Sequence, residues 1–411
     1  MPINQFKTVV VVGLGYVGLP LVVNAAKSGY KVFGFDIDLE KVAQLKLGNT
    51  VIPEIKKTDL LALQKTGKIN FTSIMPHLDQ PSIFVIAVPT PLDRDRNPDL
   101  SMLTNACDLL SEVIVENSLV INESTSFIGT LRDLIKPRID SASSVLNIMY
   151  AVAPERIDPG NLKWRLNNTT RVISGLNDAA TKVTSKFYSK FCKEIFIASA
   201  PEVAEAAKLF ENSFRQVNIA LVNELSDISS RYGFSTHEVI NAAATKPFGF
   251  MSFYPSIGVG GHCIPVDPSY LAYSAELVGT DTKLIKLANQ TNSLMPKNVA
   301  QRLSKYLSGS LSGKKIQIAG IAYKPNVPDL RESPAIDLLN ELQSLGAIVS
   351  WHDPLVKEYN GDYSSELNSN IDLGLIVTPH DSINFSKWQR SKLKVLDLSA
   401  SGKNYGWDKF L

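Results

Sequence analysis

The chain has 411 residues, 44% hydrophobic and 20% charged, with a formal net charge of +2, which fits a globular protein of two or three domains and gives no electrostatic footprint for nucleic acid or an anionic membrane. Its three cysteines, Cys107, Cys192 and Cys263, lie far apart without a CxxC pair, so neither a disulfide framework nor a metal site is expected. No apolar run approaches the roughly 20 residues of a membrane span, and "MPINQFK" enters a strand without a basic leader or cleavage site, so the expected compartment is the cytoplasm.

The first element is "TVVVVGLGYVGLPLVVNAAKSGYKVFGFDID". Val9 to Val12 read as a strand buried on both faces, Tyr16 to Lys27 as a helix with Gly29 at its C-terminal cap, and "YKVFGFD" as a second parallel strand ending at Asp36. Gly13, Gly15 and Gly18 form a GxGxxG turn, weak alone but strong within a complete βαβ unit with an acid 18 residues beyond the last glycine. Gly13 permits the tight turn, Gly15 admits a pyrophosphate to the backbone, and Gly18 lets helix pack on strand. The free N–H groups of the helix N-terminus face the phosphates. Asp36 accepts from both ribose hydroxyls and repels a 2′-phosphate, so NAD is expected rather than NADP.

Three further strand-like runs, "SIFVIAVPTP", "SLVINESTS" and "LNIMYAVAPER", end in polar or proline-bearing tips. In an open α/β sheet such carboxyl ends converge on the ligand crevice, which predicts that Thr90, Ser124, Thr125 and Glu155 lie near one another. From Pro201 the texture changes. "APEVAEAAKLFENSFRQVNIALVNELSDISSRYG" is rich in helix formers with helical apolar spacing, so Pro201 to about Ser304 reads as a helical middle domain opened by one long helix. The last hundred residues return to the first theme. "KKIQIAGIAYKPN", "AIVSWHDP", "IDLGLIVTPH" and "LKVLDLS" read as parallel strands of a second doubly wound domain without the glycine motif, suited to another nucleotide-like ligand.

The chemistry concentrates in "GVGGHCIPVDPSY". A lone cysteine is most often a small buried hydrophobe. The adjacent Gly260 and Gly261, which would let a substrate approach the sulfur, and Asp267 four residues on favour a thiolate nucleophile at Cys263 with an acid–base partner. Lys208 and Asn212, spaced i and i+4 on the long helix, share one face and form a candidate oxyanion pair, although an exposed lysine would give the same spacing. Asp267 and Glu155 are candidate acid–base carboxylates, with turn or capping roles as the plain alternative.

These residues carry a resemblance that covers nearly the whole chain. "VVGLGYVGLPL", "VPTP", "EST", "APER", "AEAAKLFENSFRQVNIALVNE", "GVGGHCIPVDP" and "GIAYKPNVPDLRESPA" resemble, in order and spacing, the UDP-glucose/GDP-mannose dehydrogenase family of nucleotide-sugar 6-dehydrogenases. The resemblance implies an α/β fold, with two Rossmann-like doubly wound domains joined by a long central helix and helical middle domain. It implies an NAD-binding domain over 1–199, a helical dimerisation domain over 200–305 and a UDP-sugar-binding domain over 306–411. The implied reaction is a four-electron oxidation of the sugar C6 alcohol using two NAD. The second oxidation explains the thiol, since the aldehyde must first become a thiohemiacetal and then a thioester.

By the same resemblance Cys263 is the nucleophile, and Lys208 and Asn212 hold the oxyanion. Asp267 positions or activates water, Glu155 assists acid–base transfer or thioester hydrolysis, and Thr125 sits by the nicotinamide and the reacting carbon. Cofactor contacts fall to Gly13, Gly15, Tyr16, Val17 and Gly18 of the turn, to Asp36 and Lys41 at the ribose, to Thr90, Ser124 and Thr125, and to Arg331, which reaches NAD or closes the site. Lys324 grips the nucleotide sugar, with Glu155, Arg156, Lys208, Asn212, Phe253, Tyr254 and Gly260 completing the substrate set. His262-Cys263-Ile264-Pro265-Val266-Asp267 is similar to the UDP-N-acetylhexosamine branch, with UDP-N-acetylglucosamine first and the manno and galacto epimers or UDP-glucose as alternatives. Arg156 is then expected near the N-acetyl group. Ser256, Ile257 and Ser269 depart from that branch and would reshape the sugar pocket. Two rivals are a two-electron hydroxyacid-type dehydrogenase, which lacks the cysteine loop and third domain, and an inactive NAD-binding regulator, which would have lost Cys263, Lys208 or Asp267.

Overall fold

The computed structural model describes residues 6–50, 52, 55–158, 161, 163–261, 263–400, 403 and 405–411. The leader expectation for "MPINQ" and the reading of His262 fall outside them. The chain divides into two compact units, Met1–Phe210 with Ser269–Val278, and Glu211–Pro268 with Gly279–Leu411.

The first unit is built on strands β1 (Thr8–Val12), β2 (Lys31–Phe35), β3 (Ile69–Thr72), β4 (Ile83–Ile86), β5 (Leu119–Asn122), β6 (Met149–Val152), β7 (Arg171–Gly175) and β8 (Ile195–Ile197). They form one sheet in the order β3-β2-β1-β4-β5-β6-β7-β8. The first six strands follow the dinucleotide-binding order, with the switch between β1 and β4. All pairings are parallel except β6 with β7, a reversal the sequence did not announce. The strands form because β-branched residues are buried on both faces. Val9 and Val11 pack into one core with α1 (Gly18–Lys27), while Val10 and Val12 pack into the other with α4 (Ser101–Val113). Each such side chain contributes about 1.5–3 kcal/mol relative to exposure. The remaining helices of this unit are α2 (Leu39–Lys46), α3 (Lys57–Lys65), α5 (Lys136–Ala142) and α6 (Asp178–Tyr188), with a π-helical turn over Leu131–Ile135 before α5. The first helix begins at Gly18 rather than Tyr16, because Tyr16 and Val17 belong to the glycine turn and pack part-buried against the core.

The long helix predicted from Pro201 is α7 (Pro201–Tyr232), followed by α8 (Thr236–Ala243), α9 (Asp267–Leu277) and α10 (Lys283–Tyr306). Both α7 and α9 run from one unit into the other, so the helical segment contributes to each. In the second unit, Asn223 Nδ2 donates to Asn292 Oδ1 at 2.9 Å, a buried amide pair tying α7 to α10. Strands β9 (Lys315–Ala319), β10 (Ile348–His352), β13 (Leu373–Ile376) and β14 (Val395–Asp397) form an all-parallel sheet, order β10-β9-β13-β14, beside the small hairpin β11 (Glu358–Tyr359) and β12 (Asp362–Tyr363). Helices α11 (Pro334–Ser344) and α12 (Ser386–Gln389) cover it, with Trp388 fully buried. Among the described residues no helix is long and apolar enough to cross a membrane.

Candidate active site

The glycine turn of the first unit assigns each glycine a different job. Gly13 has φ of 99°, and a Cβ there would lie 2.5 Å from the Ala87 carbonyl oxygen. A Cβ on Gly18 would sit 1.8 Å from the Gly13 oxygen, so helix and turn close only without a side chain. A Cβ on Gly15 meets nothing within 4 Å, and Gly15 is exposed. The α1 N-terminus, three residues on, has no side-chain cap and no acid in its first turn, as a bound anion would require. Asp36 is buried. Its Oδ2 accepts from the Leu14 amide and Lys41 Nζ, both at 2.9 Å, and its Oδ1 from the Asp38 amide at 3.0 Å. The acid therefore also braces the glycine turn, a task its sequence position did not reveal.

The strand tips lie side by side because β4, β5 and β6 are neighbours. Ser124 Oγ donates to the Val88 carbonyl at 2.8 Å, and the Glu155 amide to the Glu123 carbonyl at 3.5 Å. The Thr90 carbonyl accepts from the Tyr270 hydroxyl of α9 at 3.2 Å. Lys208, buried on α7, donates from Nζ to Thr125 Oγ1 at 2.5 Å. That contact joins two sequence candidates 83 residues apart.

Glu155 occupies a more constrained place than a mobile acid–base group. Its Oε1 accepts from the Arg156 and Ile157 amides at 2.7 and 2.9 Å, and its Oε2 from Arg171 Nη1. Arg171, on β7, is also ion-paired to Glu123, whose carboxylate accepts from the Tyr188 hydroxyl. The Arg171 guanidinium lies 4.8 Å from the Tyr188 ring centroid. Two carboxylates thus share one buried guanidinium. Burial, with repulsion from Glu155, raises the Glu123 carboxyl above its ordinary range, against the opposing pull of Arg171. The network fixes the Pro154–Ile157 loop, and Arg156 in that loop donates to the Thr170 carbonyl at 3.0 Å.

In the second unit Gly260 and Gly261 have close neighbours within the chain that also require glycine. A Cβ on Gly260 would meet the Glu332 carbonyl at 2.7 Å and Pro334 Cδ at 2.8 Å, and one on Gly261 would meet the Tyr323 ring at 2.7 Å. Gly258 packs against Pro334 and the Asn292 carbonyl, one turn before Pro296, whose ring nitrogen cannot donate back to it. These positions admit only glycine because Tyr323, Glu332 and Pro334 after β9, and Asn292 and Pro296 of α10, lie against them.

Cys263 is half-buried, whereas Cys107 and Cys192 are buried and their thiols are pushed up to about 12 by desolvation. The Cys263 carbonyl accepts from the Asp267 amide at 2.8 Å, and Asp267, fully buried, accepts from Asn212 Nδ2 at 2.7 Å. Cysteine, acid and helix amide are thereby linked. Phe253 meets Phe214 edge-on at 5.9 Å, and Tyr254 stacks on His237 at 5.2 Å. Lys324 is half-buried, and the Arg331 guanidinium is clasped by Asp329, with Nε to Oδ1 at 2.9 Å.

Sequence reasoning passed over Asp353. At the end of β10 its Oδ2 accepts from the Ile321 and Ala322 amides after β9, at 2.9 and 3.2 Å. Asp36 braces the turn after β1 in the same way, so the argument made for "FD" at Asp36 applies to "HD" at Asp353. The Asn326 amide donates to His380 Nδ1 at 2.8 Å, which leaves the proton on Nε2 to donate to Asp353 Oδ2 at 2.9 Å. Burial raises the Asp353 carboxyl, but His380 and the backbone N–H groups outweigh it and hold the group below its ordinary range.

Three models of the UDP-glucose/GDP-mannose dehydrogenase family match the chain in order: the NAD binding domain over residues 7–192, the central domain over 202–294 and the UDP binding domain over 317–399. The chain belongs to this family.

It is 35% identical over 355 residues to a UDP-N-acetyl-D-glucosamine 6-dehydrogenase of Pseudomonas aeruginosa, spanning 85% of this chain and 83% of that protein. It is 34% identical over 389 residues to a UDP-N-acetyl-D-mannosamine dehydrogenase of Pyrococcus horikoshii, spanning 93% and 91%. A solved UDP-D-ManNAc dehydrogenase from Pyrococcus horikoshii superposes with a TM-score of 0.86 at 33% identity, over 97% of each chain. As a member of this family, the protein is an NAD-dependent nucleotide-sugar 6-dehydrogenase with a UDP-sugar binding domain. The first unit fits NAD: open space at Gly15 and uncapped N–H groups of α1 suit the pyrophosphate, and Asp36 suits the ribose.

Proposed function

We propose that the protein oxidises the C6 alcohol of UDP-N-acetylglucosamine to the uronic acid, supplying a surface-polysaccharide precursor in the cytoplasm. The observation that carries this reading is the Asn212–Asp267–Cys263 arrangement, in which a buried acid bridges the helix amide and the cysteine backbone. The domain assignment is 1–199 for NAD, 200–305 for dimerisation and 306–411 for the UDP-sugar.

When bound, NAD accepts the hydride in each of the two oxidations. The Cys263 thiolate adds to the C6 aldehyde, forming a C–S bond and sending the carbonyl π electrons to oxygen. Lys208 Nζ and Asn212 Nδ2 meet that oxyanion, and Thr125 holds Lys208 in place. Oxidation of the thiohemiacetal gives a thioester. Asp267 activates water, which attacks the thioester carbonyl, and the C–S bond breaks to return the thiolate and release the uronate. Glu155 acts through the loop it anchors, where Arg156 reads the N-acetyl group. Phe253, Tyr254 and Gly260 shape the sugar site, Lys324 holds the nucleotide sugar, and Arg331 serves the cofactor side.

UDP-N-acetylmannosamine is the second reading, supported by the names of the Pyrococcus horikoshii and Campylobacter jejuni relatives. Release of NADH from a panel of UDP- and GDP-sugars decides. Highest kcat/KM with UDP-N-acetylglucosamine supports the first reading and highest with the manno epimer the second, while activity confined to GDP-mannose or UDP-glucose contradicts both.

A homodimer belongs to the proposal. Phe210, Phe214, Leu221 and Ile228 are exposed large apolar residues on one stripe of α7, as a second copy of the helix would bury. Leu221→Asp is expected to shift the protein from dimer to monomer in light scattering; an unchanged mass contradicts that interface.

A further inference from the structure

We propose that Glu205 is a positioning residue for the reaction, because its buried carboxylate splints the loop after Thr125 to the helix that carries Lys208. The inference rests on the catalytic reading of Lys208 and Thr125 given above. Glu205 precedes Lys208 by three residues, one turn of α7, and is 2% exposed. Its Oε2 accepts from the Gly129 amide at 2.6 Å and its Oε1 from the Leu131 amide at 3.0 Å. Four residues before Gly129, Thr125 Oγ1 accepts from Lys208 Nζ. One turn of α7 therefore holds the 125–131 loop at both ends.

Other contacts point to a loop built to be held. The Ile128 amide donates to Ser274 Oγ of α9 at 3.0 Å, and Phe127 meets the Tyr273 ring at 5.5 Å. The loop then enters the π-helical turn Leu131–Ile135, a rare geometry whose leading N–H groups need acceptors from elsewhere. Glu205 supplies the acceptor for Leu131, the first of them, and for Gly129 just before it. A side chain chosen for packing alone would not put a carboxylate there, since burying an acid is costly unless its hydrogen bonds are made.

Accepting two N–H groups favours the ionised form, because a protonated carboxyl gives one oxygen to its own O–H and accepts more weakly there. Burial pushes Glu205 up to about 7, the two backbone N–H groups pull it down, and Glu202 and Asp133 add to the rise. The cations nearest in sequence on the same elements are Lys208, one turn on along α7, and Arg132, which pairs with Glu202 at 2.7 Å; Arg215 and Arg231 lie further along α7. As pH falls through about 7 the splint loosens, and Thr125 loses its fixed place on Lys208.

The test compares wild type with Glu205→Gln, which keeps the shape but has one acceptor oxygen. Kinetics against pH and hydrogen exchange of the 124–131 segment are measured together. The proposal expects kcat to fall about ten- to a hundredfold, with KM for NAD changed less than about twofold. It also expects the acidic limb near neutrality to flatten and exchange in the segment to rise. Wild-type kcat with the limb intact overturns it, as does loss of activity only in step with global unfolding. If the variant does not fold, wild-type exchange decides. Corrected for intrinsic rates, protection of Gly129 and Leu131 must drop on acidification through neutrality, and constant protection overturns the proposal. Lys208→Met separates the two readings. Full turnover in that variant sinks the catalytic role of Lys208, whatever the exchange data show.

Discussion

Asn212 Nδ2 donates to Asp267 Oδ2 at 2.7 Å, and the Asp267 amide donates to the Cys263 carbonyl at 2.8 Å. An acid so placed is oriented by α7, the helix that carries the proposed oxyanion donors. Its charge is also favoured by its position in the first turn of α9. Asp267→Asn keeps the volume but removes the proposed base. It is expected to lower kcat by about 10²–10⁴-fold while UDP-sugar binding by calorimetry persists. Loss of binding with kcat preserved would show Asp267 to be a substrate ligand instead.

The glycine turn separates folding from binding. Gly18→Ala puts a Cβ 1.8 Å from the Gly13 oxygen and is expected to cost about 1–3 kcal/mol or more in denaturant unfolding. Gly15→Ala meets nothing in the chain, so its Tm stays near wild type while NAD affinity falls by about tenfold or more. Equal NAD affinity in Gly15→Ala and wild type would remove the pyrophosphate from that turn.

Asp353 contributes a pH dependence of known sign. Its folded pKa is depressed, so its contribution to stability is complete above the unfolded value of about 4 and is lost as pH falls through the folded one. Asp353→Asn is expected to destabilise the protein at neutral pH, with the gap to wild type narrowing on acidification below about pH 4 in urea titrations. A gap independent of pH would assign the effect to hydrogen-bond geometry alone.

What the sequence disclosed was what is local. The glycine turn and Asp36 could be read because spacing and strand context lie within one βαβ unit. The strands β9, β10, β13 and β14 could be read from their apolar runs. Non-local features could not. Arg171 reaches Glu155 across 16 residues, and Tyr188 reaches Glu123 across 65, so nothing near "EST" or "APER" signals that their acids share one guanidinium. The same limit hid the neighbours of Gly260 and Gly261, which are Tyr323, Glu332 and Pro334. Glu205 had a local signal, a carboxylate one turn before Lys208, but no local reason.

Cys263→Ser tests the nucleophile without disturbing the cofactor turn. The variant is expected to bind NAD and UDP-sugar, lose turnover by several orders of magnitude, and either accumulate a covalent sugar adduct at residue 263 in intact-protein mass spectrometry or stop at the aldehyde. Uronic acid formed at a near wild-type rate would exclude Cys263 from the chemistry.

The four-electron reaction is tested most directly by counting NADH released from a limiting amount of the preferred UDP-sugar by the wild-type enzyme. Two NADH per sugar, with no aldehyde trapped by a carbonyl reagent, is the predicted result. One NADH per sugar, with free aldehyde, would contradict the thioester route.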